Sequence, residues 1–152
     1  MDKATISKYR SYQGGYFRTL ISPAETGNML ALIEFTLPKG SEPPLHIHSG
    51  EDECFYLIAG KLSVKIENEI TILDPGAAIF APKNKAHAFS ILTDEVKMIN
   101  LITPGKLWQY FMDFSSPLDE LPSSIAASAP DPMQLAHMLE VISKDYKVQF
   151  VA

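Results

Sequence analysis

The sequence predicts an all-β fold, an antiparallel β-barrel or jelly roll, followed by short C-terminal helices. Three observations lead to this prediction: short runs of β-branched and aromatic residues, clusters of turn residues between them, and alternation of apolar and polar residues within the runs. The alternation is clearest in KLSVKIE, residues 61–67, where Leu62, Val64 and Ile66 share one face. Many short strands at this spacing are typical of a sandwich or small barrel rather than of βαβ units.

Eight runs between residues 16 and 103 are the predicted strands. In chain order they are YFRTLI, MLALIEFTL, CFYLIAG, KLSVKIE, EITIL, AAIFAP, AHAFSIL and VKMINLIT. The segments between them are rich in turn-forming residues: SPAETGN, PKGSEPP, ENE, DPG and PKNK. Proline fixes φ, glycine permits positive φ, and Asn or Asp side chains bond the local backbone, so each segment has a physical reason to turn. We therefore expect the barrel to span about 16–103.

The pattern changes to helical spacing after residue 104. An apolar i, i+3, i+4, i+7 series in KLWQYFMDF predicts a short helix; its members are Leu107, Tyr110, Phe111 and Phe114. After a connector rich in Pro, Ser and Ala, Asp131 and Pro132 are a suitable N-cap and first residue for a second helix. We expect the apolar stripe of this second helix to comprise Leu135, Met138, Leu139, Ile142 and Tyr146. His137 is expected to face away from the stripe, towards solvent.

Length and charge limit what the chain can do. A chain of 152 residues predicts one domain, 1–152, with the barrel at about 16–103 and a helical extension at about 105–152. The net charge of −5 and the absence of a polybasic segment argue against nucleic-acid and membrane partners. No apolar run is long enough to span a bilayer, and the N-terminal residues MDKATISKYR do not resemble a secretory signal. Cys54 is the only cysteine, so we expect a reducing, cytoplasmic environment.

Three of the four histidines are predicted to face inward, His87 from one of the eight runs above and His46 and His48 from an extended segment between two of them. His46 and His48 are two residues apart and therefore point to the same side of a strand. His87 shares its face with Phe89 and Ile91. Buried imidazoles need partners, and a divalent first-row transition metal is a suitable one. By itself, however, an HxH pair is weak support for a metal site, and His87 is equally consistent with an ordinary core histidine.

Three consecutive acids follow the histidine pair, and their settings differ. Glu53 begins an apolar run and shares its face with Phe55 and Leu57, so its carboxylate is placed to approach a metal. Glu51 and Asp52 lie in the polar turn SGED, where we expect both carboxylates to meet water. Glu53 is therefore the acid that the sequence favours as a ligand.

Two motifs in the chain resemble those of the cupin superfamily. The first, G-x5-H-x-H-x4-E-x6-G, consists of Gly40, His46, His48, Glu53 and Gly60 and matches at every fixed position. The second, G-x5-P-x-G-x2-H-x3-N, is represented by Gly76, Pro82, Asn84, His87 and Ile91. Here Asn84 stands where the motif has a turn glycine and Ile91 where it has a terminal asparagine, which is not a metal ligand. Asparagine can adopt the left-handed conformation that such a turn requires.

The wider pattern resembles single-domain cupins similar to quercetin dioxygenase. This resemblance implies a cupin-type barrel (a double-stranded β-helix or jelly roll) with short C-terminal helices. It also implies one divalent transition metal ion (Fe, Mn, Ni, Co, Cu or Zn), held by His46, His48, Glu53 and His87. In that family the glutamate also handles the substrate proton, so Glu53 is the predicted catalytic residue.

The resemblance favours a dioxygenase-type oxidoreductase that acts on a small hydroxylated aromatic or enol substrate. Two alternatives stay open: a metal-dependent isomerase, lyase or hydrolase, and a small-molecule-binding cupin without turnover, because one fold hosts many functions. The candidate substrate pocket is aromatic; its predicted members are Phe35, Phe55, Phe89, Trp108 and Phe111. For each of these rings, plain core packing is the simpler interpretation. Cupins commonly pair through a strand edge or sheet face, so we expect a homodimer.

Overall fold

The computed structural model describes residues 8–151. Residues 1–7 and Ala152 lie outside the described residues. The first seven are most of the stretch MDKATISKYR, which does not resemble a secretory signal, and Ala152 is the last residue of the predicted domain. Twelve strands occur in the described part of the chain: β1 Tyr9–Tyr12, β2 Gly15–Ile21, β3 Ala31–Pro38, β4 His46–His48, β5 Asp52–Ala59, β6 Leu62–Ile66, β7 Glu69–Leu73, β8 Ala78–Ala81, β9 His87–Ile91, β10 Glu95–Thr103, β11 Ser116–Pro117 and β12 Val148–Phe150.

The strands form two antiparallel sheets. One has seven strands in the order β11-β1-β2-β3-β10-β5-β8, and the other has five in the order β12-β4-β9-β6-β7. Alternate residues of β10 and of most of β5 are buried between the sheets, as the period of two requires, whereas β3 is buried on both faces along most of its length. Along β10, for example, Val96, Met98, Asn100 and Ile102 are buried while the residues between them are not. The two antiparallel sheets confirm the predicted all-β, jelly-roll fold class.

The sheets extend beyond the predicted span of 16–103 at both ends. β1 and β11 add a small ribbon to the seven-stranded sheet. The more consequential addition is β12, which pairs with the histidine-bearing β4, so that Val148 lies opposite His48 and Phe150 opposite His46. A three-residue strand directly after a helix carries too little alternation to be recognised in the sequence.

Two helices follow β10, as predicted for the C-terminal part of the chain. A 3-10 helix, Gly105–Leu107, leads directly into α1, Trp108–Asp113. α2 spans Pro132–Asp145 and begins at Asp131, whose Oδ1 accepts a hydrogen bond from the Gln134 amide at 2.9 Å. A further 3-10 helix, Pro23–Thr26, lies in the β2–β3 connection. No helix in the described range is both long enough and apolar enough to cross a membrane.

The predicted apolar stripe of α2 is only partly buried. Met138 and Tyr146 are buried, but Leu135 and Leu139 are 42% and 41% exposed. The stripe therefore packs against the protein at Met138 and Tyr146 and leaves Leu135 and Leu139 partly exposed. His137 is exposed, as predicted.

The motif turns adopt the backbone conformations that their residues suggest. Asn84 has a φ of 68°, so it does take the left-handed conformation of the glycine it replaces. Gly60 has a φ of 90°, and a Cβ at this position would lie 2.6 Å from the carbonyl oxygen of Glu95. The β5–β6 turn therefore requires glycine for both conformational and steric reasons.

Candidate metal centre

Four predicted ligands meet between the two sheets. β4 carries His46 and His48, and His87 at the start of β9 lies directly opposite His46 in the strand register. Glu53 reaches the same point from β5 of the other sheet. One potential ligand atom from each side chain lies within 4.8 Å of all the others, and all four residues are buried. The strand alternation thus turns inward the four side chains that the motifs single out.

The cluster lacks an internal arrangement of hydrogen bonds that would satisfy it. Nε2 of His48 and Nε2 of His87 lie 3.1 Å and 3.0 Å from Oε2 of Glu53. These distances suit hydrogen bonds, but the directions do not, and within residues 8–151 neither nitrogen has a hydrogen-bond partner. Buried polar atoms without partners are rare and call for an explanation. Three imidazoles and one carboxylate converging on one point form a donor set suited to a divalent transition metal.

The Nδ1 atoms of His46 and His48 each have a partner outside the four-residue cluster. His46 Nδ1 lies 2.7 Å from the Pro44 carbonyl oxygen, which fixes Nδ1 as the donor and leaves Nε2 as the free ligand atom. His48 Nδ1 lies 2.5 Å from Oε1 of Glu51. Such outer contacts orient metal-ligating histidines and set their tautomer.

The expectation that Glu51 meets water is wrong. Its side chain is buried, and its carboxylate bonds His48 rather than solvent. The turn residues Ser49 and Gly50 are exposed as the polar sequence suggests, but the chain re-enters the protein at Glu51. The i, i+3 spacing between His48 and Glu51 is the signal that could have indicated this contact.

Asn100 is a site residue that was not predicted from the sequence. It is 4% exposed and lies on the inner face of β10. Its Nδ2 donates a hydrogen bond to Oε1 of Glu53 at 3.1 Å. The available signal was an asparagine at an inward position of the otherwise apolar run MINLIT, because a buried amide requires a partner.

Burial and neighbouring charges shift the pKa values of the cluster, in the same direction at His46 and in opposite directions at His48 and Glu53. Burial lowers the pKa of His46 to about 4, with His87 adding to the effect. Burial would also lower the pKa of His48, but Glu51 and Glu53 outweigh it and raise that pKa to about 9. For Glu53, burial favours a raised pKa, yet the adjacent His48 and His87 hold it well below its usual value. Glu53 is therefore ionised at neutral pH.

An apolar cavity of about 460 Å³ adjoins the cluster. All four candidate ligands line it, as do four of the five aromatic residues expected in a pocket: Phe35, Phe55, Phe89 and Phe111. Trp108 is the exception, since it is not among the described lining residues and its indole Nε1 donates to Thr19 Oγ1 at 2.8 Å. Its position on α1 directs the indole towards Thr19 of β2, and a role for Trp108 in substrate binding stays a prediction.

The C-terminal segments complete the cavity. Four residues of α2 line it: Leu135, Met138, Leu139 and Ile142. The exposed positions of the predicted α2 stripe thus border a cavity rather than a packed core. His137, on the same helix, packs its ring against Phe114 at a centroid distance of 5.6 Å and does not join the cluster.

Comparison with known proteins agrees with this geometry. Residues 33–103 match the model of the cupin domain. The pectin degradation protein KdgF of Dickeya dadantii is 32% identical over 78 residues, which cover 51% of this chain and 69% of that protein. Quercetin 2,3-dioxygenase of Bacillus subtilis is 22% identical over 102 residues, which cover 67% of this chain but only 30% of that protein. A third relative, oxidoreductase OpS7 of Beauveria bassiana, is likewise matched over only 26% of its length.

Solved structures show the same fold. KdgF from Halomonas sp. superposes with a TM-score of 0.56 at 23% identity, covering 63% of this chain and 84% of that one. A predicted oxalate decarboxylase from Thermotoga maritima gives 0.57 at 21% identity, covering 67% and 96%. With the two motifs, the two-sheet architecture and the buried four-residue cluster, these matches lead to one conclusion: the chain belongs to the cupin superfamily.

Proposed function

We propose that the chain is a metal-dependent cupin of the dioxygenase type that acts on a small hydroxylated aromatic or enol substrate. The observation that carries the proposal is the junction of a buried three-histidine, one-carboxylate cluster with an apolar cavity of about 460 Å³. Such a volume lies in the usual range for small-molecule sites. The similarity to quercetin 2,3-dioxygenase supports an oxidative reaction at this site.

His46, His48, Glu53 and His87 would hold the ion, with Pro44 and Glu51 orienting two of the imidazoles. When bound, a divalent ion of this kind supplies a Lewis acid that lowers the pKa of a coordinated hydroxyl. Iron, manganese, nickel, cobalt, copper and zinc are all compatible with the ligand set, because imidazole and carboxylate accept each of them.

Glu53 is the proposed proton acceptor. Its Oε2 faces His48 and His87, and its Oε1 accepts a hydrogen bond from Asn100 and can accept another. A carboxylate with a lowered pKa is a weak base, so Glu53 requires an acidified hydroxyl about 2.6–3.2 Å away. The phenylalanine walls exclude water and hold the substrate ring, and the deprotonated substrate is electron-rich enough to react with dioxygen.

Oxygen uptake tests this function. The metal-loaded protein should consume dioxygen with at least one member of a panel of phenols, flavonols and enols, and the metal-free protein should not. The panel should be run with each candidate ion, because the ligand set does not select one. Absence of uptake across the panel with every ion would contradict the dioxygenase assignment.

A non-oxidative reaction is the second candidate, and one observation favours it. The match to KdgF covers 69% of that relative at 32% identity, a larger share than the match to the dioxygenase covers. A metal-dependent isomerase or lyase would use the same cluster and Glu53 to move a proton without consuming oxygen. Turnover under strict anaerobiosis would support this alternative, whereas ligand binding without turnover would indicate a non-catalytic binding cupin.

We also propose a homodimer. Large apolar side chains are exposed on the outer face of adjacent strands β5 and β8, namely Tyr56, Ile58 and Phe80. Exposed apolar patches often mark interaction surfaces. Sedimentation equilibrium should give twice the chain mass at micromolar concentration, and a Phe80→Asp variant should shift the protein towards monomer. A monomer in the wild type would refute this proposal.

A further inference from the structure

The nitrogen and the oxygen of the Asn100 side-chain amide differ in their hydrogen bonding. Its Nδ2 donates to Oε1 of Glu53 at 3.1 Å. This contact fixes the orientation of the amide, because an ionised carboxylate only accepts hydrogen bonds and the reversed amide would place two acceptor oxygens together. Oδ1 therefore points away from Glu53.

Oδ1 of Asn100 has no hydrogen-bond partner within residues 8–151, although it is buried. The residue is 4% exposed, and Met98 and Ile102, its neighbours on the same strand face, are apolar. Asn100 also lines the cavity, together with Phe55 and Phe89. An unsatisfied buried acceptor at the wall of an apolar cavity is unfavourable unless a ligand or an ordered water molecule supplies the donor, and a ligand hydroxyl is the donor that a substrate site would bring.

We propose that Asn100 is a substrate-recognition residue whose Oδ1 accepts a hydrogen bond from a hydroxyl of the substrate. This inference rests on the proposed function in that the cavity binds a small molecule beside the cluster. Because Asn100 is hydrogen-bonded to a candidate ligand, the recognised hydroxyl lies next to the substrate group that faces the cluster. The substrate class is thus a compact molecule with two adjacent oxygen functions, at least one of them a free hydroxyl.

Selectivity follows from the chemistry of the acceptor. A site that hydrogen-bonds a substrate hydroxyl rejects an analogue in which the hydroxyl is missing or blocked, because the buried polar group is then left without a partner. A methyl ether cannot donate to Oδ1 and adds a methyl group at the same place. The wild-type protein should therefore prefer a hydroxyl ligand to its methyl ether, and the preference should depend on Asn100.

Two probe pairs test the inference by calorimetry under anaerobic conditions: catechol against 2-methoxyphenol, and glycolate against methoxyacetate. The protein is loaded with Zn²⁺, which has no redox chemistry, so that binding is measured without oxidation. We expect the wild type to bind the hydroxyl member of at least one pair about tenfold or more tightly, about 1.4 kcal/mol. Asn100→Leu should reduce this preference to about onefold, whereas the exposed control Asn68→Leu should retain it.

The Asn100 variants distinguish recognition of the hydroxyl by Asn100 from selection of the hydroxyl by the ion. If Asn100→Leu keeps the preference, the hydroxyl is selected by the ion itself and the inference is wrong. If Asn100→Leu does not fold, Asn100→Ser decides instead: its hydroxyl can still donate to Glu53 but the Oδ1 acceptor is removed, so the preference should fall, and a preference kept at the wild-type level would count against the inference.

The outcomes also distinguish this inference from the proposed function. An Asn100-dependent preference for glycolate alone supports recognition by Asn100 and contradicts the aromatic or enol substrate class. Oxygen uptake with phenols but no role for Asn100 in either pair supports the function and overturns the inference. Absence of binding by all four probes overturns the inference as well.

Discussion

The two ends of the cavity are built differently. At the end formed by the candidate metal centre, four candidate ligands and Asn100 are all buried and lie on strands β4, β5, β9 and β10. At the other end, part of the wall comes from α2, where Leu135 and Leu139 are about two-fifths exposed. Buried, close-packed side chains are held more precisely than partly exposed ones. We infer that the strand-built end determines chemistry, whereas the helix-built end modulates ligand affinity.

The largest expected effect follows from removing a ligand at the strand-built end. His87→Ala should lower metal affinity by more than about 100-fold, beyond the range typical for outer contacts of a metal site, because no other imidazole can reach the same position. His137→Ala, on the exposed face of α2, is the matched control and should retain full metal content. Elemental analysis after dialysis measures both. Equal metal contents in the two variants would remove His87 from the site.

The second largest effect concerns proton transfer by Glu53 rather than metal binding. Glu53→Gln keeps the size and one oxygen ligand but removes the carboxylate, so it should retain part of the metal and lose about 100-fold or more in turnover, the range of general-base catalysis. Oxygen uptake or anaerobic product formation, normalised to bound metal, measures the loss. Full activity of the metal-loaded variant would exclude Glu53 as the base.

A third, smaller effect tests the contact behind His48. Glu51→Ala should weaken metal binding by about 10- to 100-fold, as is typical when a histidine ligand loses its outer partner. The exposed acid Glu69 provides the control, since Glu69→Ala should leave metal affinity unchanged. An unchanged affinity in Glu51→Ala would mean that the buried contact at 2.5 Å does not support the site.

The same contact predicts a pH dependence. With its pKa raised to about 9, His48 must release a proton when it binds metal at neutral pH, so metal affinity should increase with pH up to about 9. Removing Glu51 lowers the His48 pKa, and the plateau should then be reached at a lower pH. Metal titrations between pH 6 and 9 measure this difference; identical pH profiles for the wild type and Glu51→Ala would contradict the account.

The smallest effect belongs to the helix-built end. Leu139→Ser removes apolar area from the cavity wall and should reduce the affinity for an aromatic ligand severalfold while leaving metal content unchanged. Leu92 is exposed to a similar degree, 44%, and is not among the described residues that line the cavity, so Leu92→Ser is the control. A loss of metal in Leu139→Ser would mean that the two ends are not independent.

The sequence predicted the strand-built end well and the helix-built end poorly, and the reason is physical. Alternation along a strand is a strong local signal, and it correctly turned His46, His48, Glu53 and His87 to the inside. The contacts of Glu51, Asn100 and β12 depend on which segments meet in space, which no local pattern specifies. The helical period likewise identified the apolar residues of α2, but it could not show that four of them border a cavity.

The stoichiometry of metal binding tests the central claim most directly. Untagged wild-type protein would be incubated with each candidate divalent ion, freed of excess by gel filtration and submitted to elemental analysis. The four buried ligands should retain one ion per chain for at least one of these metals, and His87→Ala should retain none. Substoichiometric retention of every metal by the wild type, or one ion per chain in both proteins, would contradict the assignment of the cluster as a metal centre.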